Sequence, residues 1–346
     1  MRTPRLAAIG SAAAALALTA SACSNPNSDA TSSSAARGGS SSASANKHLS
    51  IGFFGFAKAN SFAQATWAGI QQYANGHNAS ATFIDSNFNG STQVNELQDA
   101  VTAKRFDVVI VQANDGTAMV NPVRQAIAAG ITVVVEFTPI GGDYYTSQPQ
   151  VPGTYNIVDP PAVNGSGLAL LGIEACGSLG LKHANCKVAY LQGLANFPLD
   201  SARTNVAVAA LKSSGISTVI SNFVGGYTPD TGRAAMQNLL QSHPDVNVVI
   251  GSSQALEGAM PLVGGRKIAF VGNGGSTQAF NYVENGTWFG VYDVPEKAEG
   301  AKAAEIGLEA ARGKSAPTAT RACNLTTFNC LGTAQTLKGR TADYTD

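Results

Sequence analysis

Short apolar runs alternate with amphipathic stretches along most of the chain. Four apolar runs in the first half predict buried strands: Leu49–Phe56, Ala81–Asp85, Asp107–Val111 and Ile131–Phe137. Between them, apolar residues recur at helical spacing, which predicts helices over 62–74, 91–103 and 118–130. Alternation of helices with nearly continuous apolar strands predicts a parallel sheet covered on both faces.

The alternation stops at 139–155, a segment rich in Gly, Pro and Tyr in which we predict no regular element. It restarts with a helix over about 162–179. Further strands are then expected at Lys187–Gly193, Ser217–Phe223, Val246–Ser252, Lys267–Gly272 and Trp288–Val294. The last predicted helix covers about 295–313. Two such series predict two doubly wound, Rossmann-like α/β lobes, with a ligand cleft where the carboxyl ends of their strands face each other.

The first residues indicate export. Arg2 and Arg5 precede an apolar run that ends in small residues, the pattern of a signal peptide over 1–22. The next residue, Cys23, favours a bacterial lipoprotein whose cysteine is acylated and anchors the protein to the membrane. The alternative is a plain signal peptide with an incidental Cys23, because Ala20 stands where such signals usually have Leu. The Ser- and Ala-rich segment 23–47 predicts a disordered tether.

Charge and cysteine content narrow the classes of function that the sequence allows. The 22 basic and 22 acidic residues balance, and no basic run is interleaved with aromatics, which argues against nucleic-acid binding. The four cysteines after Cys23 lack zinc-ligand spacing, so we predict no metal site and no cofactor. In an exported protein they indicate disulfides, and Cys176–Cys186 with Cys323–Cys330 is the simplest of three pairings. Reduced, buried thiols are the alternative.

Three motifs carry a family resemblance: MQNLLQSHPDV at 236–246, VAYLQG at 188–193 and FVGN at 270–273. In their order along the chain, within this alternation, they resemble the type I, ribose-type periplasmic sugar-binding proteins, which are the solute receptors of ABC importers. The resemblance implies a periplasmic-binding-protein fold with a three-strand hinge and ligand capture by hinge closure.

The resemblance also implies a set of ligand-binding positions, in which amide and carboxylate groups meet sugar hydroxyls and aromatic rings meet C–H faces. These are Asn60, Phe62, Glu136, Phe137, Ser201, Arg203, Tyr227, Ser253, Gln254, Asn273 and Asp293. The chain departs from the ribose pattern at the pocket arginines and aspartates. The expected ligand is therefore another pentose, a hexose or a linear polyol.

Plainer interpretations of several positions stay open. Glu136 and Asp293 are also explained as ordinary strand-end carboxylates, and Arg203 as a structural ion-pair partner. Phe137 and Tyr227 are also explained as core aromatics. The two carboxylates leave open a glycoside-processing enzyme as a second function. A sugar- or autoinducer-sensing receptor for a membrane sensor is a third, whereas a DNA-binding regulator would need a helix-turn-helix where this chain has its leader.

The implied organisation is a monomeric receptor that delivers its ligand to an ABC permease. The N-terminal lobe is expected over 48–155 plus 295–322, and the C-terminal lobe over 156–293 plus 328–346. Crossings between the lobes are expected near 155–159, 293–295 and 322–327. The last crossing lies inside the Cys323–Cys330 loop, so we expect this disulfide to stiffen the hinge.

Overall fold

The computed structural model describes residues 47–346. The predicted signal peptide, Cys23 and the tether before Lys47 lie outside the described residues. The strands are β1 (Leu49–Gly55), β2 (Ala79–Asp85), β3 (Val108–Val111), β4 (Thr132–Phe137), β5 (Thr154–Val158), β6 (Lys187–Gln192), β7 (Thr218–Val224), β8 (Val248–Ser252), β9 (Ala269–Asn273), β10 (Gly290–Tyr292), β11 (Ala319–Arg321) and β12 (Leu331–Thr333). The α-helices are α1 (Ser61–Gly76), α2 (Gly90–Thr102), α3 (Val120–Ala128), α4 (Pro161–Ser178), α5 (Pro198–Ser213), α6 (Pro229–Ser242), α7 (Ser253–Ala259), α8 (Thr277–Glu284) and α9 (Glu296–Ala311).

The strands form two six-stranded sheets, one for each lobe. The N-terminal lobe has the order β11-β5-β4-β3-β1-β2, and all of its pairs are parallel. The C-terminal lobe has the order β12-β10-β9-β8-β6-β7, in which β12 alone runs antiparallel to its neighbour. Central strands such as β3 (VVIV) are buried at every residue, as a sheet covered on both faces requires. The doubly wound α/β class predicted from the alternation is confirmed.

The chain passes between the sheets three times: after β5, between β10 and α9, and between β11 and β12. The lobe boundary expected after Tyr155 falls inside β5, which pairs with β4 through Val158. Residues 156–158 therefore belong to the sheet of the N-terminal lobe. The segment 139–155 is irregular up to this strand, and β5 begins at Thr154 within it.

Both disulfides have the local pairing, Cys176–Cys186 and Cys323–Cys330. The first joins the end of α4 to the residue before β6. The second closes the third crossing, since Cys323 follows β11 and Cys330 precedes β12. Both of its cysteines are buried.

Helix α9 returns from the hinge and packs closely on α1. A Cβ atom on Gly69 would lie 1.9 Å from the carbonyl oxygen of Lys297, and one on Gly300 would lie 2.1 Å from that of Thr66. The two helices approach so closely because neither glycine has a side chain. This contact brings the first turn of α9 beneath the carboxyl end of β4, which carries two of the candidate site residues.

Candidate ligand-binding site

A cavity lies where the carboxyl ends of the two sheets face each other, which is where ligands bind in sheets of this kind. It is lined by Phe56, Asn60, Phe62, Phe88, Phe137, Phe197, Leu199, Arg203, Tyr227, Gln254 and Asn273. Both lobes contribute, because the residues up to Phe137 belong to the N-terminal lobe and those from Phe197 onward belong to the C-terminal lobe.

Aromatic rings form most of the cavity wall. The Phe62 ring meets that of Phe137 edge-on at a centroid distance of 4.8 Å. Phe88 of the N-terminal lobe contacts Phe197 and Tyr227 of the C-terminal lobe, with centroids 6.0 and 6.1 Å apart. The lobes therefore meet across the cleft through aromatic side chains.

Phe137 ends β4 in a backbone conformation that is rare for a bulky residue, with φ of 55°. Its N–H donates to the Glu299 carboxyl oxygen at 3.2 Å, and its carbonyl accepts from the Asp159 N–H at 3.0 Å. These two bonds, from α9 and from the first crossing, hold the unusual turn. Observed backbone outliers of this kind are concentrated at binding sites.

Among the described residues that line the cavity, Arg203 is the charged one. Its Nη1 atom donates to Asp200 at 3.2 Å and to the Tyr227 hydroxyl at 3.4 Å, and that hydroxyl donates to Asp200 at 2.5 Å. Asp200 also accepts from the Leu194 N–H. Burial raises the pKa of Asp200, while the Arg203 charge opposes that rise. The ion pair is almost fully buried, so it places a fixed guanidinium at the wall.

Three amides complete the polar lining, and each is oriented by an anchored partner. Asn60 caps α1, its Oδ1 accepting from the Ala63 N–H at 3.0 Å. The Asn273 Oδ1 accepts from Asn164, whose Nδ2 also donates to the carboxylate of Asp159. Gln254 donates through Nε2 to Asp346 and to Ser61 of the other lobe, at 3.0 and 3.1 Å.

The structure places four of the predicted residues away from the cavity. Ser201 is exposed on α5, about half a turn from Arg203, because residues two apart on a helix face different ways. Ser253 donates its hydroxyl to the Gly274 carbonyl. Asp293 lies buried in the second crossing, where burial, followed by the charge of Asp343, raises its pKa to about 8.

Glu136 is the fourth, and the backbone turn at Phe137 explains its place. With its positive φ, Phe137 leaves the extended strand geometry and packs on Phe62 at the cavity, while Glu136 lies buried against α1 and α9. There its carboxyl accepts from Thr66 at 3.3 Å. The interpretation of Glu136 and Asp293 as carboxylates outside the ligand contact fits this placement better than the pocket role implied by the resemblance.

Glu136 belongs to a buried cluster with Glu296 and Glu299. One carboxyl oxygen from each lies within 4.8 Å of the others, and all three side chains are fully buried. Oxygen sets of this kind suit hard cations. Burial raises the pKa of Glu136 to about 8 and those of the other two well above their ordinary range. Burial therefore disfavours the ionised form of these three carboxyls.

Sequence reasoning missed Phe56, Phe88, Phe197 and Leu199, as well as Asp200, the partner of Arg203. Each wall residue lies just beyond the carboxyl end of a strand or at the start of the following helix. Their position was the signal in the sequence that could have identified them, since ligands of such sheets bind beyond the carboxyl ends of the strands.

The comparisons with known proteins agree with this architecture. Residues 51–315 match the model of the periplasmic binding protein domain. The chain belongs to the periplasmic binding protein family. Of the curated protein sequences, none matches this periplasmic binding protein significantly.

Solved structures share the fold at low sequence identity. A solute-binding protein of an ABC transporter from Actinobacillus succinogenes, with bound D-allose, is 18% identical with a TM-score of 0.68; 79% of this chain and 95% of that chain are covered. One from Mycobacterium smegmatis with bound glycerol is 22% identical with a TM-score of 0.67, covering 80% and 92%. The Caulobacter myo-inositol binding protein is 15% identical with a TM-score of 0.69, covering 80% and 91%.

None of the helices within residues 47–346 combines the length and the apolar character needed to cross a bilayer.

Proposed function

We propose that this protein is an extracytoplasmic solute receptor that captures a small sugar or sugar alcohol by hinge closure and delivers it to an ABC permease. The observation that carries the proposal is the cavity between the lobes, in which phenyl rings surround a guanidinium and three oriented amides. Phenyl rings suit the C–H faces of a sugar, and the polar groups suit its oxygens.

The arrangement of contacts supports a closing motion. Residues on opposite lobes meet across the cleft, and three crossings join the lobes, which is the geometry of a hinge. A ligand that touches both walls gains contacts in the closed form that the open form cannot offer, and this difference drives closure. The similar folds that hold D-allose, glycerol and myo-inositol support the ligand class.

The same proposal includes the finer points of partners and location. Cys23 is acylated, the segment 23–47 tethers the receptor, and the receptor acts as a monomer beside its permease. A tether of this kind raises the concentration of receptor near the membrane. The protein acts by binding and not by catalysis.

A thermal-shift screen of pentoses, hexoses and polyols, followed by calorimetry, tests the proposal. We expect at least one compound to raise Tm and to bind with one-to-one stoichiometry. Arg203→Met removes the guanidinium and should abolish the shift, whereas a substitution at the exposed Ser201 should leave it intact. A screen in which no sugar or polyol binds contradicts the proposal.

A further inference from the structure

The hydrogen-bonding capacity of the cavity wall distinguishes among sugars. Every hydroxyl group carries one proton to donate, and a buried hydroxyl without an acceptor loses free energy. Hydroxyl-rich ligands therefore need a wall with several acceptors. The side chains that line this cavity can be counted as donors or acceptors, because their partners outside the cavity fix their orientation.

Two amides present donors. The Asn60 oxygen is occupied by the cap of α1, and the Asn273 oxygen is occupied by Asn164, so each amide leaves its NH₂ group for a ligand. Neither NH₂ group has a partner among residues 47–346. Asp159 fixes this orientation at Asn273, because a carboxylate can only accept and thus sets Asn164 as the donor. Flipping either amide would break its anchored bond.

The Arg203 guanidinium adds further hydrogen-bond donors to the cavity wall. The Arg203 Nη1 is engaged by Asp200 and Tyr227, while Nε is buried without a partner among the described residues. The Tyr227 hydroxyl already donates to Asp200 and accepts from Arg203, which leaves it little capacity for a ligand.

Side-chain acceptors are scarce. Gln254 lines the cavity and uses its NH₂ group on Ser61 and Asp346, which leaves its Oε1 as the acceptor of this amide. None of the described side chains that line the cavity is a carboxylate, since Glu136 and Asp293 lie elsewhere. The other lining side chains are Phe56, Phe62, Phe88, Phe137, Phe197 and Leu199, which offer apolar surface.

We infer that the ligand is a sugar derivative with few free hydroxyl protons, such as a deoxy sugar, a methyl glycoside or an aldonolactone, and not a fully hydroxylated hexose or linear polyol. Its ring or carbonyl oxygens accept from Asn60, Asn273 and Arg203, and its alkyl groups meet the phenyl wall. This inference rests on the proposed function and narrows the ligand class within it.

Matched sugar pairs test the inference by calorimetry. D-glucose, D-galactose and D-mannose are each compared with the 6-deoxy form. We expect the 6-deoxy member of the best-binding pair to bind about tenfold tighter or more, since a single unpaired buried hydroxyl accounts for a factor of this size.

A donor-to-acceptor substitution provides the second arm. Asn273→Asp keeps the oxygen that Asn164 needs and replaces the NH₂ group by a second acceptor. Asn60→Asp does the same while retaining the cap, because Asp caps a helix as well as Asn does. We expect each variant to lose the preference for the 6-deoxy member. Asn89→Asp is the matched control, as Asn89 caps α2 through the same bond but lies outside the cavity.

The outcomes are distinguishable. If sugars bind but the hydroxylated parents bind as tightly as the 6-deoxy forms, the inference is overturned and the proposed function stands. If neither member of any pair binds, the inference is overturned, while the wider screen of pentoses, hexoses and polyols decides the proposed function. If Asn273→Asp does not fold, Asn60→Asp supplies the same comparison, and a preference unchanged in a folded variant contradicts the assigned donor role.

Discussion

Replacing Glu136 by Gln should reduce the loss of stability at alkaline pH. Burial raises the pKa of Glu136 from its ordinary value of 4.5 to about 8, and no cationic side chain within residues 47–346 forms an ion pair with it. The native state therefore keeps a proton that the unfolded chain releases above pH 4.5. Its contribution to stability is complete below that pH and is lost as the pH rises through 8.

The magnitude follows from the two pKa values. Each pKa unit corresponds to about 1.4 kcal/mol, so the interval from 4.5 to about 8 sets a ceiling of roughly 5 kcal/mol. The carboxyls of Glu296 and Glu299 titrate together with Glu136, so part of this amount belongs to the cluster. A change of even half this size is a large fraction of the 5–15 kcal/mol that is typical for folded proteins.

Urea unfolding at pH 5, 7 and 9 measures the effect. We expect the free energy of unfolding of the wild type to fall as the pH rises, and that of Glu136→Gln to fall less steeply. Gln retains an oxygen for the bond from Thr66. Glu284→Gln, at an exposed position on α8, should follow the wild-type profile. Parallel profiles for the wild type and Glu136→Gln would refute the reasoning, as would a wild-type stability that increases toward pH 9.

Three further predictions concern the cleft and the hinge. Arg203→Met should lower the free energy of unfolding by about 3–5 kcal/mol in chemical denaturation, because it leaves the buried Asp200 charge unpaired; Asp200→Asn added to it should recover part of the loss. Replacing both Cys323 and Cys330 by Ala should lower the free energy of unfolding by about 2–3 kcal/mol and weaken ligand affinity. Removing the other disulfide should lower stability alone. Equal ligand affinity in the two variants would exclude a hinge role for Cys323–Cys330. Asp346→Ala should increase the radius of gyration of the ligand-free protein in small-angle X-ray scattering, since Asp346 bonds to both lobes; an unchanged radius would count against this link.

The alternation along the sequence was enough to predict two parallel sheets and their flanking helices, because buried strands such as β3 consist entirely of branched apolar residues. Strand β5 was not predicted from the sequence. It has five residues, includes the polar Asn156, and is held by pairing with β4 and β11 more than by its own composition. The three-residue strands β11 and β12 were not predicted either, because so few residues show no clear pattern.

Residues of the candidate site could be predicted from the sequence where their position at the end of a strand or loop decides where the side chain lies. Asn60 and Asn273, at the ends of loops and strands, line the cavity as the resemblance implied. The separation of Glu136 from Phe137 was not visible in the sequence, because it depends on the positive φ of Phe137, which bonds to Glu299 and Asp159 hold. The orientation of Asn273 was not visible, because it depends on Asn164 and Asp159, which are distant in sequence.

The most direct test of the central claim is a crystal structure of the protein with the tightest-binding sugar from the screen. We expect the ligand between the lobes, with an apolar face against Phe62 and Phe137 and with oxygens accepting from Asn273 and Arg203. Electron density for the ligand outside this cavity, or a ligand that contacts one lobe alone in a saturated crystal, would contradict the account.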